Sequence, residues 1–143
     1  MKIFLIDNNK YIPSKKGSEI KKLAKDVISQ LTLPNNTELC ITFIDDTEMR
    51  QLNSNYRNID RTTDVLSFPQ DELFLGDVVI SIPTALRNAK RYGSEDGNEI
   101  KRLIIHGILH LLGYDHKKKK ERETMRAKEK ELFSNTLNLE IQF

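Results

Sequence analysis

The sequence predicts an α+β fold: a single small domain in which a four-stranded sheet packs against about five helices. Three observations lead there. Strand-like and helix-like apolar patterns follow one another in the order β-α-β-α-β-β-α-α-α, so helices cluster late instead of alternating regularly with strands. The 143 residues suit one domain with a real core, and no repeat, low-complexity tract or Gly/Ser linker divides 1–143. The stretch 100–112 is apolar on nearly every face (Ile100, Leu103, Ile104, Ile105, Ile108, Leu109, Leu111, Leu112), which places that helix at the centre of the domain.

Residues 2–7 read as a short strand closed by Asp7. Residues 18–31 carry Ile20, Leu23, Ala24, Val27, Ile28 and Leu31 at helical spacing, with Ser18 as the expected N-cap. Pro34-Asn35-Asn36 is a turn, and 38–45 is a strand rich in β-formers. Asp46 is expected to cap a short helix carrying Met49 and Leu52. Residues 63–68 form a third strand, stopped by Pro69; Gln70, Asp71 and Glu72 form a loop; 74–82 is the fourth strand. Pro83 suits the first turn of a helix that runs to about Tyr92 and ends at Gly93. Asp96 and Glu99 have capping-box spacing and open the central helix, which Gly113 stops. A charged last helix covers 117–133, with Met125, Leu132 and Phe133 among its few apolar positions.

Composition excludes several classes. With 38% hydrophobic and 31% charged residues, the chain is too apolar for disorder and too polar for a membrane protein. Its longest apolar run, 103–112, is far short of a span, and residues 1–7 are too short for a signal peptide. The single cysteine, Cys40, cannot make an intramolecular disulfide and reads as a small core residue, so a cytoplasmic location is expected. A net charge of +2 does not by itself demand nucleic acid. Arg87, Lys90, Arg91, Lys101 and Arg102 nevertheless fall close together, and a lysine run occupies 117–120. Such runs usually solvate a surface helix; Lys90, Arg91, Lys101 and Arg102 are alternatively a phosphate track.

The chemistry concentrates in His106-Gly107-Ile108-Leu109-His110-Leu111-Leu112-Gly113-Tyr114-Asp115-His116, which holds all three histidines. Four residues of helix leave His106 and His110 about 40° apart around the axis and one turn along it. Gly113 can end the helix in the left-handed conformation and turn the chain so that His116 returns as a third ligand. Three neutral imidazoles suit zinc. A fourth protein ligand would have to be Cys40, which the core claims. The expectation is therefore one Zn2+ per chain on His106, His110 and His116, with an open position of the catalytic kind, where bound water falls to a pKa of about 7. Asp115 is either a carboxylate that orients an imidazole or a turn residue leading into the last helix.

At this point a resemblance becomes specific. The histidine segment is similar to the signature H-G-x-x-H-x-x-G-Y-D-H of the YbeY family of bacterial metallo-endoribonucleases. Leu52-Asn53-x-x-Tyr56-Arg57-x-x-Asp60, Thr63-Asp64-Val65-Leu66-Ser67-Phe68-Pro69 and Leu75-Gly76-Asp77-Val78-Val79-Ile80 match in the same order, strongest over about 42–116. The resemblance implies a small α+β fold with a zincin-like metal helix at its centre and one zinc on the three histidines. It also implies cleavage of single-stranded RNA, in 3′-end maturation of small-subunit ribosomal RNA and in ribosome quality control. The implied partners are that RNA and ribosomal or ribosome-assembly proteins, with no membrane. Arg57 and His110 become the expected catalytic residues, Arg57 offering its guanidinium to the non-bridging oxygens of the phosphodiester. Composition and spacing alone do not lead to RNA.

The histidine spacing also resembles zincin proteases, whose second motif position is a glutamate base; here it is Gly107, which cannot take a proton. A zinc peptidase or other zinc hydrolase is therefore a rival, and a non-catalytic, metal-stabilised ribosome-assembly factor is a second. Asp64 and Asp77 are expected to fix loops through backbone hydrogen bonds, with Ser67 in the same matched strands. Tyr56 and Phe68 are expected in the core, with stacking on unpaired bases as the alternative. Whether water or the RNA 2′-hydroxyl attacks is open.

Overall fold

The computed structural model describes residues 1–71 and 73–143; Glu72, placed in a loop above, lies outside them. Among the described residues nine elements follow the expected order: β1 (Lys2–Ile6), α1 (Gly17–Gln30), β2 (Glu38–Ile44), α2 (Asp46–Arg57), β3 (Val65–Pro69), β4 (Phe74–Ser81), α3 (Ile82–Tyr92), α4 (Asp96–Leu111) and α5 (Lys119–Asn135). The strands form one sheet in the order β1-β2-β4-β3. β1, β2 and β4 run parallel, while β3 pairs antiparallel with β4, Ser67 opposite Val78, and forms an edge.

Side chains alternate across a strand, and this sheet uses both faces. Leu39, Ile41 and Phe43 of β2, with Val78 and Ile80 of β4, face the main core beneath α1, α3, α4 and α5. Ile44, Leu66 and Val79 face the other way, onto Met49 of α2. Cover on both faces is why β2 reads as a nearly continuous apolar run. α4 is the hub: Ile100, Leu103, Ile104, Ile108 and Leu109 are fully buried, as an all-round apolar helix requires. Cys40 is buried in β2. Among the described residues no helix is long and apolar enough to cross a membrane.

The helix starts differ from expectation by one or two residues. α1 begins at Gly17 with Lys16 at the cap position, so Ser18 lies inside the helix and is not its cap. Asp45, not Asp46, caps α2, accepting from the Glu48 N–H at 2.8 Å. Asp46 is drawn elsewhere: its carboxylate accepts from Ser81 Oγ (2.7 Å) and Thr84 Oγ1 (2.6 Å) and meets Arg87 at 2.8 Å, lashing α2 to α3. Partial burial pushes this carboxyl upward, but the hydrogen bonds from Thr84 and Ser81 and the Arg87 guanidinium outweigh it and hold it below the usual range. The capping box at Asp96 does not form. Glu95 takes the cap position, and both oxygens of Glu99 are held by Arg102 at 2.8 Å.

A further correction concerns charge. Lys101 is fully buried (0% exposed), so it cannot serve a phosphate track. Its ammonium donates to Phe133 O (2.7 Å), Thr136 O (3.0 Å) and Asn138 Oδ1 (3.3 Å), satisfying carbonyls at the end of α5. Burial lowers its pKa, and the nearby Asp26 carboxylate opposes that.

Candidate metal centre

Helical spacing puts His106 and His110 one turn apart near the end of α4, on the side that opens to solvent. The helix closes on Leu112, and Gly113, at φ 94°, takes a conformation that a side chain would strain. Its N–H donates to His110 O (3.0 Å) while the Tyr114 N–H donates to Leu109 O (3.1 Å), and this reversal returns His116 to the helix end.

The three rings converge. His110 Nε2 lies 3.1 Å from His106 Nε2 and 3.2 Å from His116 Nδ1, and one ligand atom from each ring falls within 4.8 Å of the others. A tetrahedral ion bound at about 2.0–2.1 Å sets its ligand nitrogens roughly 3.3 Å apart, so the spacing fits a shared cation. A ring nitrogen carries one proton or one lone pair, and three nitrogens aimed at one point are better served by a cation than by hydrogen bonds among themselves. Burial, then the neighbouring His106 and His116, lowers the pKa of His110 and favours the neutral imidazole, the form that binds metal. No cysteine or carboxylate joins the trio among the described residues, so the site is open.

With Nε2 of His106 turned inward, its Nδ1 faces Glu129 Oε1 of α5 at 3.1 Å. Asp115 does not orient an imidazole. Its Oδ1 accepts from the backbone N–H of His116 (2.7 Å) and Lys117 (3.3 Å), and the His116 bond above all holds the carboxyl below the usual range. Sequence reasoning missed Glu129. The available signal was its place on a charged helix between Met125 and Leu132, four and three residues away and both buried at 1%.

The histidines form the floor of a cleft of about 570 Å³ whose walls include Arg57, Asp64, Ser67 and Lys117. Arg57 is the last residue of α2 and is exposed. Residues around it, the matched Asn53 and Asp60 among them, brace the loop that follows. Asn53 Nδ2 donates to Arg61 O (2.8 Å), Arg50 clasps Asp60 (2.9 and 3.2 Å), and Asn58 turns the chain at φ 57°. Among the described residues no carboxylate pairs with Arg57.

The other expected positions divide. Ser67 Oγ donates to Gly107 O (3.0 Å), tying the sheet edge to α4. Asp64 holds side chains and not backbone N–H groups: Asn88 Nδ2 donates to it at 3.2 Å, and Arg102 stands 3.7 Å away. Asp77 is in mid-strand opposite Cys40 and Phe68, not in a loop. Phe68 packs on the second core, but Tyr56 is 68% exposed, its ring 5.0 Å from Phe68; the core placement expected for Tyr56 is wrong because α2 turns that face to solvent. Lys90 and Arg91 are exposed on α3, and with Lys101 buried and Arg102 paired to Glu99, the four do not form a track.

Gly107 now has a physical reason. A Cβ there would sit 2.5 Å from Val78 Cγ1 and 3.0 Å from Cγ2, so α4 rests on the sheet through this residue. Val is stiff at χ1 and cannot swing away cheaply. Gly107→Ala is expected to destabilise the fold by about 1–3 kcal/mol, the usual cost of overpacking, despite alanine's better helix propensity. Urea denaturation checks it, and an unchanged midpoint would contradict the close approach.

Fold and site together define a class: a small α+β protein with an open three-histidine centre, able to hold a metal ion, between a buried helix and a sheet edge. The family model described as Endoribonuclease YbeY matches residues 5–137. The chain belongs to that family. It is 53% identical over 110 residues to Endoribonuclease YbeY of Aquifex aeolicus (strain VF5), covering 73% of each chain. It is 44% identical over 121 residues to Endoribonuclease YbeY of Sulfurihydrogenibium sp. (strain YO3AOP1), covering 79% of each. The solution structure of TM1509 from Thermotoga maritima is similar at a TM-score of 0.67 and 29% identity, covering 93% of this chain and 87% of that one.

Proposed function

We propose that the protein is a zinc-dependent endoribonuclease that cuts single-stranded RNA, serving 3′-end maturation of small-subunit ribosomal RNA and ribosome quality control in the cytoplasm. Ribosomal or ribosome-assembly proteins would be its partners there. The observation that carries this is the meeting, in one cleft, of three converging imidazoles with an arginine no described carboxylate pairs. Family membership supplies the substrate class, because the matching relatives are named endoribonucleases.

His106, His110 and His116 would hold the ion, and neutral imidazoles favour zinc among abundant cations over magnesium or calcium, which prefer oxygen ligands. When bound, zinc supplies Lewis acidity at the scissile phosphodiester. The chain's own residues do the rest. Arg57 donates paired hydrogen bonds to the non-bridging oxygens, where negative charge builds as the bond breaks. Tyr56, exposed beside it, offers a ring face to an unpaired base, which a paired helix cannot present. The peptidase alternative has no support here, since the position that carries its base is a glycine pressed on Val78.

Metal removal tests the reading. Protein stripped with a chelator should lose cleavage of a labelled single-stranded oligoribonucleotide and regain it on adding about one equivalent of Zn2+, with a duplex of the same sequence resistant. Full-rate cutting by the stripped protein would remove the metal from the mechanism. Product ends then separate the two chemistries, because attack by the 2′-hydroxyl leaves a 2′,3′-cyclic phosphate and attack by water does not.

A further inference from the structure

His106 is the member of the trio with a carboxylate against its outer nitrogen: Nδ1 faces Glu129 Oε1 at 3.1 Å, both side chains about one-fifth exposed. Surface acids on a charged helix normally point to water, and the neighbours of Glu129 do; Lys130 and Glu131 are exposed. Glu129 instead shares the inward face of α5 with the buried Met125 and Leu132, which fix the rotation of the helix and aim the carboxylate at α4.

A second contact fixes α5 along its axis. Phe133, one turn beyond Glu129, gives its carbonyl to the buried Lys101 ammonium at 2.7 Å, and that ammonium lies 4.3 Å from the centre of the Phe133 ring. Lys101 precedes His106 by five residues on α4. The two helices are therefore joined twice, once at each end of a short segment. The tie at Lys101 sets where Glu129 meets His106.

We infer that Glu129 is a positioning residue for the metal centre: its carboxylate accepts a hydrogen bond from the Nδ1–H of His106, holding the ring in the tautomer and orientation that present the Nε2 lone pair to the ion. The inference rests on the reading of the three histidines as metal ligands. An imidazole has two tautomers, and a hydrogen bond at one nitrogen selects which nitrogen is free to bind. A carboxylate also makes the opposite nitrogen a better donor than an amide would, and loss of such an outer partner typically costs about 10–100-fold in metal affinity. His110 and His116 have no carboxylate in that position among the described residues.

The test compares wild type with Glu129→Gln and Glu129→Ala. Gln keeps the shape and removes the charge, which guards against a variant that merely unfolds. Zinc affinity is measured by competition with a chromophoric chelator, and the tautomer of His106 by the nitrogen shifts of its ring in the metal-free protein. Glu129→Gln is expected to bind zinc about 10–100-fold more weakly, with a melting temperature close to wild type without metal. Its metal-free His106 should show a mixture of tautomers where wild type shows the Nδ1–H form. Wild-type affinity in both variants, or an unchanged tautomer, overturns the assignment. If wild type binds no zinc, the metal reading fails by that result alone, while the ring shifts still report whether Glu129 sets the tautomer.

Discussion

His110→Ala is expected to purify as a folded protein without bound metal and to cut single-stranded RNA at least about a hundredfold more slowly than wild type, since the lost Lewis acid is worth several kcal/mol of transition-state stabilisation. The geometry explains why this position is the most sensitive. His110 Nε2 is the nitrogen common to both short separations, 3.1 Å to His106 and 3.2 Å to His116. Removing it leaves two ligands on different elements with nothing between them. The fold should persist, because the imidazole sits at the cleft floor in the last turn of α4 and alanine is the best helix former. The metal-free variant should melt close to metal-free wild type, because the ring it lacks is only partly buried at the cleft. Metal content by elemental analysis, circular dichroism and oligonucleotide cleavage decide together. A variant that keeps its metal and its rate would sink the three-histidine centre.

The second large effect is expected at Arg57, where Arg57→Ala should lower kcat by about 10²–10³, the usual cost of deleting a donor aimed at developing charge. Metal content and melting temperature should stay at wild-type values. The side chain ends α2 in open solvent, and no described carboxylate depends on it. Arg57→Lys should recover only part of the loss, because an ammonium keeps the charge but cannot donate two parallel hydrogen bonds. Single-turnover rates with zinc-loaded protein separate chemistry from RNA binding. If Arg57→Ala lowers only affinity, the arginine steers the RNA and does not stabilise the transition state. If it cuts at the wild-type rate and affinity, Arg57 has no part in the site.

Much of the molecule is legible along the chain because its signals are local. The periods of about two and 3.6 residues name the strands and helices, and the unbroken apolar surface of α4 marks it as the centre. The geometry of the candidate metal site is legible for the same reason. A four-residue helical step and one glycine turn determine where His106, His110 and His116 can point, whatever surrounds them. Cap positions were less so. Asp46 has another cap residue, Asp45, beside it, and its carboxylate went instead to Ser81 and Thr84, far along the chain, while Glu99 was claimed by Arg102 one turn further on the same helix.

What the sequence alone determined, then, is the element order, the central helix and the convergence of the three histidines, all set within stretches of about a dozen residues. The tertiary structure decided the rest. It buried Lys101 by giving its ammonium three acceptors near the end of α5, and it turned Tyr56 out to solvent. It explained Gly107 by pressing α4 onto Val78, brought Arg57 to the histidine cleft, and set Glu129 against His106 across 23 residues of chain. Those outcomes depend on which helix faces meet, and contact between distant faces is settled by packing the whole core at once, which no local pattern records.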